Sequence, residues 1–206
     1  MLSLFVVLAL LGVVCALYVI GRQLSQLAYI QRYRFHPAIK QKLKNKHPTL
    51  NDEQLALVFQ ALRDYFYICN RAGSRMVAMP TQVTDDAWHE FILFTRSYEL
   101  FCQKAFGRFL HHTPAEAMAT PMMSQDSIKR AWRLACVKDH INPQAPANLP
   151  LLFSIDAQFG IAGGFMYSLN CRPDGNGYCA SDIGCGGGCG GGCSADSGCG
   201  GGCGGD

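Results

Sequence analysis

The sequence lacks the common short signatures of catalysis. It contains no glycine-rich phosphate loop, no GxSxG nucleophile motif and no CxxC pair. A zinc-protease motif begins at His89-Glu90 but has Leu93 where the second histidine would stand, which excludes a metalloprotease of that type.

Acidic residues are absent from positions 21 to 50, where seven basic residues lie, and the rest of the chain carries 11 basic and 15 acidic residues. A net acidic remainder argues against a nucleic-acid partner.

The first charged side chain is that of Arg22, and the segment before it is apolar. From Leu2 to Ile20, only Ser3 is plainly polar, and a helix of these nineteen residues spans about 28 Å, close to the hydrocarbon thickness of a bilayer. A cleaved signal peptide is the alternative, but no basic residue precedes the segment and it contains no good cleavage site. We therefore expect an uncleaved single-pass transmembrane anchor over residues 1–21.

Basic residues cluster after the anchor, so the positive-inside rule predicts that the remainder of the chain is cytoplasmic at the cell membrane. Residues 22–48 are then expected to be a basic juxtamembrane linker that lies on anionic lipid. In the cytoplasm the cysteines would be reduced, whereas on the opposite side they would form disulfides.

Residues 49–170 are expected to form a mainly α-helical domain of a chain with 49% hydrophobic residues. Asn51 is predicted to cap a first helix with Gln54 in the reciprocal capping position, and Gly73 is predicted to end it.

Further helix signals follow along the chain. Thr84 is predicted to cap a second helix, and whether residues 85–106 form one helix or two stays open. The sequence Thr113–Glu116 is typical of a helix start, and Ser124 is predicted to cap another helix that stops at Asn142-Pro143. The apolar stretch that follows, up to residue 170, is either a strand pair or a packed loop.

The stretch 85–112 gathers nitrogen and sulfur donors suited to zinc. These candidate ligands are His89, Cys102, His111 and His112, with Asp85 and Asp86 placed to hold the second imidazole nitrogen of His89. His89 and Cys102 approach each other only if the chain breaks near Arg96-Ser97, because in one straight helix they are about 20 Å apart. The alternative is an ordinary hydrogen-bonded histidine and a buried core cysteine.

Residues 171–206 are expected to be a disordered Gly/Cys-rich tail. The last 23 residues hold 13 glycines and five cysteines, and these cysteines are Cys185, Cys189, Cys193, Cys199 and Cys203. Such a flexible thiol-rich chain can wrap zinc or copper(I) with low selectivity. The alternatives are a low-complexity tail without a ligand and a substrate for enzymes that cyclise cysteine onto the backbone.

Several spaced elements of the helical region resemble the glycine-rich domain-containing-protein-like family. They are Met79-Pro80, Val83–His89, Tyr98, Phe101-Cys102, Phe106-Gly107 and Leu110–His112. The likeness covers residues 50 to 167 and implies a mostly helical domain without an agreed catalytic residue. Where the family pattern looks like Trp-His-x-His, this chain has Phe91 at the last position.

These observations favour a membrane-anchored scaffold or binding protein with a tail able to bind a soft metal. The alternative is a metal- or thiol-dependent enzyme that uses the His/Cys cluster of residues 85–112, with Asp85 orienting His89.

Overall fold

A computed structural model describes residues 2–112, 121–169, 178–179 and 183. In these ranges the chain is mainly helical, as expected, with seven α-helices and one pair of two-residue strands. The helices are α1 (Leu2–Arg32), α2 (Pro37–Lys46), α3 (Asp52–Ala72), α4 (Gln82–Ile92), α5 (Thr95–Phe106), α6 (Pro121–Lys138) and α7 (Leu151–Phe159). Strands β1 (Tyr167–Ser168) and β2 (Tyr178–Cys179) pair in parallel, and Cys179 is disulfide-bonded.

Helix α1 joins the apolar segment to the folded domain without interruption. Its 31 residues extend for about 46 Å. Large apolar side chains are exposed from Val6 to Leu24, whereas Leu27 and Ile30 are buried in the core. Among the described helices, this is the one long and apolar enough to cross a membrane.

The basic segment 22–48 differs from the expected linker, since it is almost entirely helical and packed into the domain. Its first part completes α1, and its second part forms α2, which begins at Pro37 after His36 as the N-cap. Ile39 and Leu43 lie four residues apart on one face of α2 and are fully buried. The lysines between them conceal this short apolar stripe in the sequence.

Lysines of α2 pair with carboxylates of the domain, and the expected contact of this segment with anionic lipid stays a prediction. The Nζ–carboxylate distances are 3.2 Å for Lys40–Asp52, 3.2 Å for Lys42–Glu90 and 2.7 Å for Lys46–Asp86.

Helix α3 lies at the centre of the domain and contacts α1, α2, α4, α6 and α7. The predicted capping box is confirmed: Asn51 Oδ1 accepts from the Gln54 amide, and Gln54 Oε1 accepts from the Asn51 amide, both at 2.8 Å. The helix ends before Gly73, as predicted, where φ is +66°. Its core face is aromatic, with Phe66 packed between Phe91 of α4 and Phe101 of α5.

The region 81–106 forms two helices, which settles the open question. The predicted cap at Thr84 is wrong, because α4 begins at Gln82 after Thr81 and Thr84 is buried in its first turn. The chain breaks at Leu93-Phe94, earlier than the break considered near Arg96-Ser97.

The C-terminal part departs from two further expectations. Helix α6 begins at Pro121 rather than after Ser124, and it ends at Lys138, ahead of Asn142-Pro143. The stretch left open as strands or loop contains helix α7 and then β1. The predicted helix start at Thr113–Glu116 and the five candidate tail cysteines lie outside the described residues.

Candidate metal centre

Three side chains of two separate segments converge at the surface of the domain. Asp85 and His89 lie one turn apart on α4, and His112 lies on the link that follows α5. Asp85 Oδ1 is 2.8 Å from His112 Nε2, and Asp85 Oδ2 is 3.5 Å from His89 Nδ1. One donor atom from each side chain lies within 4.8 Å of the other two. The arrangement brings together two imidazoles and one carboxylate.

A buried carboxylate on α7 fixes the start of α4. Asp156 Oδ1 accepts from Thr81 Oγ1 at 2.8 Å and from the Val83 amide at 3.1 Å, while Oδ2 accepts from the Gln82 amide at 2.7 Å and from the Phe165 amide at 3.0 Å. The free N–H groups at the start of a helix carry partial positive charge, so this carboxylate both caps α4 and complements its dipole.

A second carboxylate fixes α4 to α2. Asp86 is buried and its carboxylate lies 2.7 Å from Lys46 Nζ, 2.7 Å from His47 Nε2 and 3.1 Å from Gln82 Nε2. Burial alone would raise the pKa of Asp86, but the hydrogen bonds from Lys46 and His47 lower it below its ordinary value. Asp86 therefore has structural partners of its own and does not orient His89 as expected.

Aromatic core residues fix the position of the link that carries His112. Tyr98 accepts a hydrogen bond from Trp88 Nε1 at 3.2 Å and donates one to the backbone carbonyl of Leu110. The ring of Trp88 also packs edge-on against the ring of His112, with 4.5 Å between centroids. Two residues of the core thus determine where the histidine emerges.

The donor set suits a borderline divalent ion such as zinc. Two histidines and one carboxylate form a common set for open metal sites. Tetrahedral bonds of 2.0–2.1 Å separate neighbouring ligand atoms by roughly 3.3 Å, so the 2.8 Å hydrogen-bond contact between Asp85 and His112 would have to lengthen around a bound ion. The side chain of His89 is 48% exposed, whereas those of Asp85 and His112 are 21% and 13% exposed. The open side at His89 leaves room for water or another ligand on the ion.

Comparison with known proteins assigns the chain to a family. The family model described as UCP032817-like matches residues 25–185, more than three quarters of the chain. The chain belongs to this family. No curated protein and no solved structure matches it.

The UCP032817-like region contains all three members of the cluster, whereas most of the apolar part of α1 precedes it. The family description states no activity, so the chemistry has to be argued from the side chains. Of the six residues singled out in the sequence between positions 85 and 112, the structure joins Asp85, His89 and His112 and separates the other three.

Cys102 and His111 lie apart from the cluster. Cys102 is fully buried next to the Tyr98 hydroxyl and the Leu110 backbone, so it supports the link from inside. His111 is exposed and its ring packs against Phe109, with centroids 4.9 Å apart. The adjacent histidines point in different directions, consistent with the expectation that only one of the pair would ligate.

The buried thiols are poorly suited to nucleophilic chemistry. Burial raises the pKa of Cys102, and it raises the pKa of Cys69 and of Cys136 to about 12. A thiol reacts and binds metal as its thiolate, which these environments disfavour near neutral pH.

One residue that shapes the site was missed in the sequence, and a second was given a different role. Asp156 lies 74 residues from Gln82, so no local pattern connects it with the start of α4. Asp85 was interpreted as a partner of the imidazole because it precedes His89 by one turn. The 3.5 Å contact between Asp85 and His89 is compatible with that role, and the closeness of His112 also allows Asp85 to be a direct ligand.

Proposed function

We propose that this protein is a membrane-anchored metal-binding protein whose site consists of Asp85, His89 and His112. The observation that carries the proposal is the convergence of these three donor side chains from α4 and from the link after α5. Zinc is the preferred ion, because imidazole nitrogen and carboxylate oxygen are both ordinary zinc ligands and the site offers no thiolate. This assigns a definite ligand to the binding-protein hypothesis.

The surroundings support a preformed site. Helix α4 is held at its start by Asp156 and along its length by Asp86, and the His112 link is held by Tyr98. Donors that are already held in place lose little conformational entropy when they bind an ion. A flexible glycine-rich tail would lose much more. The tail cysteines remain a separate candidate site of lower selectivity.

The test is metal binding by the full-length protein in detergent. All five tail cysteines, Cys185, Cys189, Cys193, Cys199 and Cys203, are replaced by serine in every sample, so that tail thiols cannot contribute. In this background we expect one zinc ion per chain. His89→Ala and His112→Ala should each lower the zinc affinity by roughly tenfold or more.

His111→Ala is the matched control, because it removes an imidazole that adjoins His112 but faces away from the cluster. It should leave the zinc affinity unchanged. Equal zinc content in all four proteins would refute the proposal, and so would a loss of affinity in the His111 variant as large as that in the His112 variant.

A metal-dependent enzyme is the second candidate, and the exposure of His89 favours it. Catalytic zinc sites keep three protein ligands and an open position for water or substrate, as this geometry allows. Cobalt(II) bound in place of zinc should change its visible spectrum when acetohydroxamate is added, if an exchangeable position exists. An unchanged spectrum under saturating acetohydroxamate would refute the enzyme candidate and leave metal binding as the proposed function.

We further propose that α1 anchors the protein as a single-pass helix with the domain on the cytoplasmic side. The support is the apolar run before Arg22 and the basic residues that follow it. The disulfide at Cys179 favours the opposite side, since disulfides are typical of oxidising compartments. Labelling intact cells with an impermeant thiol reagent decides the matter: cytoplasmic cysteines react only after lysis, and labelling before lysis would overturn the orientation.

A further inference from the structure

Basic side chains in two parts of the domain differ in their partners. Lys40, Lys42 and Lys46 of α2 are paired with carboxylates. Four exposed arginines, by contrast, lie on α1 and at the ends of α3 and α5, and they are Arg22, Arg71, Arg75 and Arg108. None of the ion pairs between described residues includes any of these four.

The contacts of three of these arginines place them at one end of the domain. Arg71 Nη1 donates to Gln23 Oε1 of α1 at 3.3 Å, and Arg108 Nη2 donates to the backbone carbonyl of Gly73 at 2.5 Å. The guanidinium of Arg22 lies against Gly107, where an added Cβ atom would be 2.5 Å from Nη2. Three arginines are thus gathered where α1 passes the ends of α3 and α5, and their charge is not neutralised by any described carboxylate.

A shallow cavity of about 310 Å³, largely open to the surface, lies among these residues. Arg22 and Arg108 line it together with the apolar side chains of Val19 and Phe106. The amide group of Asn70 forms part of the wall and ties it together, because its nitrogen donates to Gln26 Oε1 of α1 at 3.1 Å and to the Ala105 carbonyl of α5 at 2.8 Å.

The position of the cavity along α1 is the decisive feature. Val19 belongs to the apolar run, and Arg22 is the first charged residue after it. If α1 spans the bilayer, the cavity therefore lies at the depth of the lipid headgroups, with an apolar side toward the acyl chains and a basic side toward water. Arginine binds phosphate oxygens with paired N–H groups, and basic pockets between helices at this depth bind anionic headgroups.

We propose that this cavity binds a phosphate group through Arg22 and Arg108, and that an anionic phospholipid of the surrounding leaflet supplies it. The proposal rests on the proposed function only in its anchoring helix and is independent of the metal centre. It narrows the expectation that the basic segment 22–48 lies on anionic lipid to Arg22 of that segment, and it adds Arg108, which follows α5.

The experiment uses full-length protein in nanodiscs that contain equal amounts of phosphatidylcholine and phosphatidylglycerol, followed by native mass spectrometry of the retained lipids. We expect the wild-type protein to retain phosphatidylglycerol preferentially. Arg22→Gln combined with Arg108→Gln should reduce that preference by roughly tenfold or more, the effect of two basic contacts at a membrane surface. The control is Lys40→Gln combined with Lys42→Gln, which removes the same amount of positive charge from the carboxylate-paired lysines of α2. It should leave the lipid preference unchanged.

Two further arms make the result decisive. Equal retention of both lipids by the wild-type protein would overturn the proposal, whether or not the arginine variant folds. If inorganic phosphate or glycerol 3-phosphate displaces the lipid at low millimolar concentration, the source is a soluble phosphate compound and the lipid assignment is wrong. Alkaline carbonate washing of cell membranes tests the anchor separately, because release of the protein would refute the anchoring helix, whereas retention without lipid preference would refute the cavity alone.

Discussion

Replacement of Asp156 by asparagine tests how α4, and with it the proposed metal centre, is held. The carboxylate accepts four hydrogen bonds, two at each oxygen, from Thr81 Oγ1 and from the amides of Gln82, Val83 and Phe165. No described cation pairs with Asp156. An asparagine keeps one oxygen and turns an NH₂ group toward the other two donors, so two donors that now have partners lose them.

The expected cost follows from those two donors. A buried donor left without a partner costs about 1–3 kcal/mol, so Asp156→Asn should reduce the free energy of unfolding by about 3 kcal/mol. For a domain of this size that corresponds to a fall in melting temperature of roughly 6–12 °C. The zinc affinity should fall as well, because Asp85 lies within the first turn of the helix that loses its cap.

Thermal unfolding of the full-length protein in detergent, followed by the fluorescence of its two tryptophans, measures the loss. Asp139→Asn is the matched control. Asp139 also accepts a backbone amide, that of Leu151, but it is 25% exposed and an asparagine can still accept this bond. We expect a loss below about 1 kcal/mol there. If the two variants are equally stable, the carboxylate of Asp156 does not hold α4 and the reasoning fails.

Three further predictions concern other parts of the domain. Asp86→Asn should destabilise the protein near neutral pH by about 2 kcal/mol, measured in denaturation curves. The difference from wild type should shrink below about pH 4. The reason is that the pKa of Asp86 is lowered in the folded protein, so the stability that its carboxylate contributes is lost as it is protonated. Cys102→Ser should lower the melting temperature but leave the zinc stoichiometry intact, and loss of zinc would restore Cys102 as a ligand. Ile30→Ala should cost about 2–5 kcal/mol in urea unfolding, whereas Leu24→Ala, which lies on the same helix but is 62% exposed, should cost less than about 0.5 kcal/mol.

The sequence predicts the helical class and the ends of α3, because those rest on local chemistry. The capping box at Asn51 and Gln54 and the glycine after Ala72 act within a few residues of the helix they bound. The start of α4 was placed three residues too late, since Thr84 satisfies the same local rule as Thr81 and only the distant Asp156 distinguishes them. Two large apolar side chains in the ten residues of α2, Ile39 and Leu43, are likewise too few to reveal a buried helix.

For the proposed site, the sequence singles out the segment in which the three residues converge and predicts two of them, His89 and His112, as ligands. It cannot identify the arrangement, because His112 reaches α4 through a chain reversal at Leu93-Phe94 and a link fixed by Tyr98. Cysteine is a good zinc ligand in general, and Cys102 was therefore expected to take part. Tertiary packing buries Cys102 among aromatic residues of α5, and the presence of a sulfur donor in the sequence does not predict that burial.

If α1 spans a bilayer as proposed, its continuity determines how the two proposed sites relate to the membrane. With a flexible linker the domain could rotate freely, and the arginines of the domain would have no fixed position relative to the lipid headgroups. In the structure the same helix carries Val19, exposed Leu24 and buried Ile30, so rotating the domain would require bending α1. The arginines near Gly107 are consequently held in one register to the bilayer. Inserting a residue pair such as Gly-Gly after Leu24 should uncouple them, reducing phosphatidylglycerol preference while zinc affinity is retained.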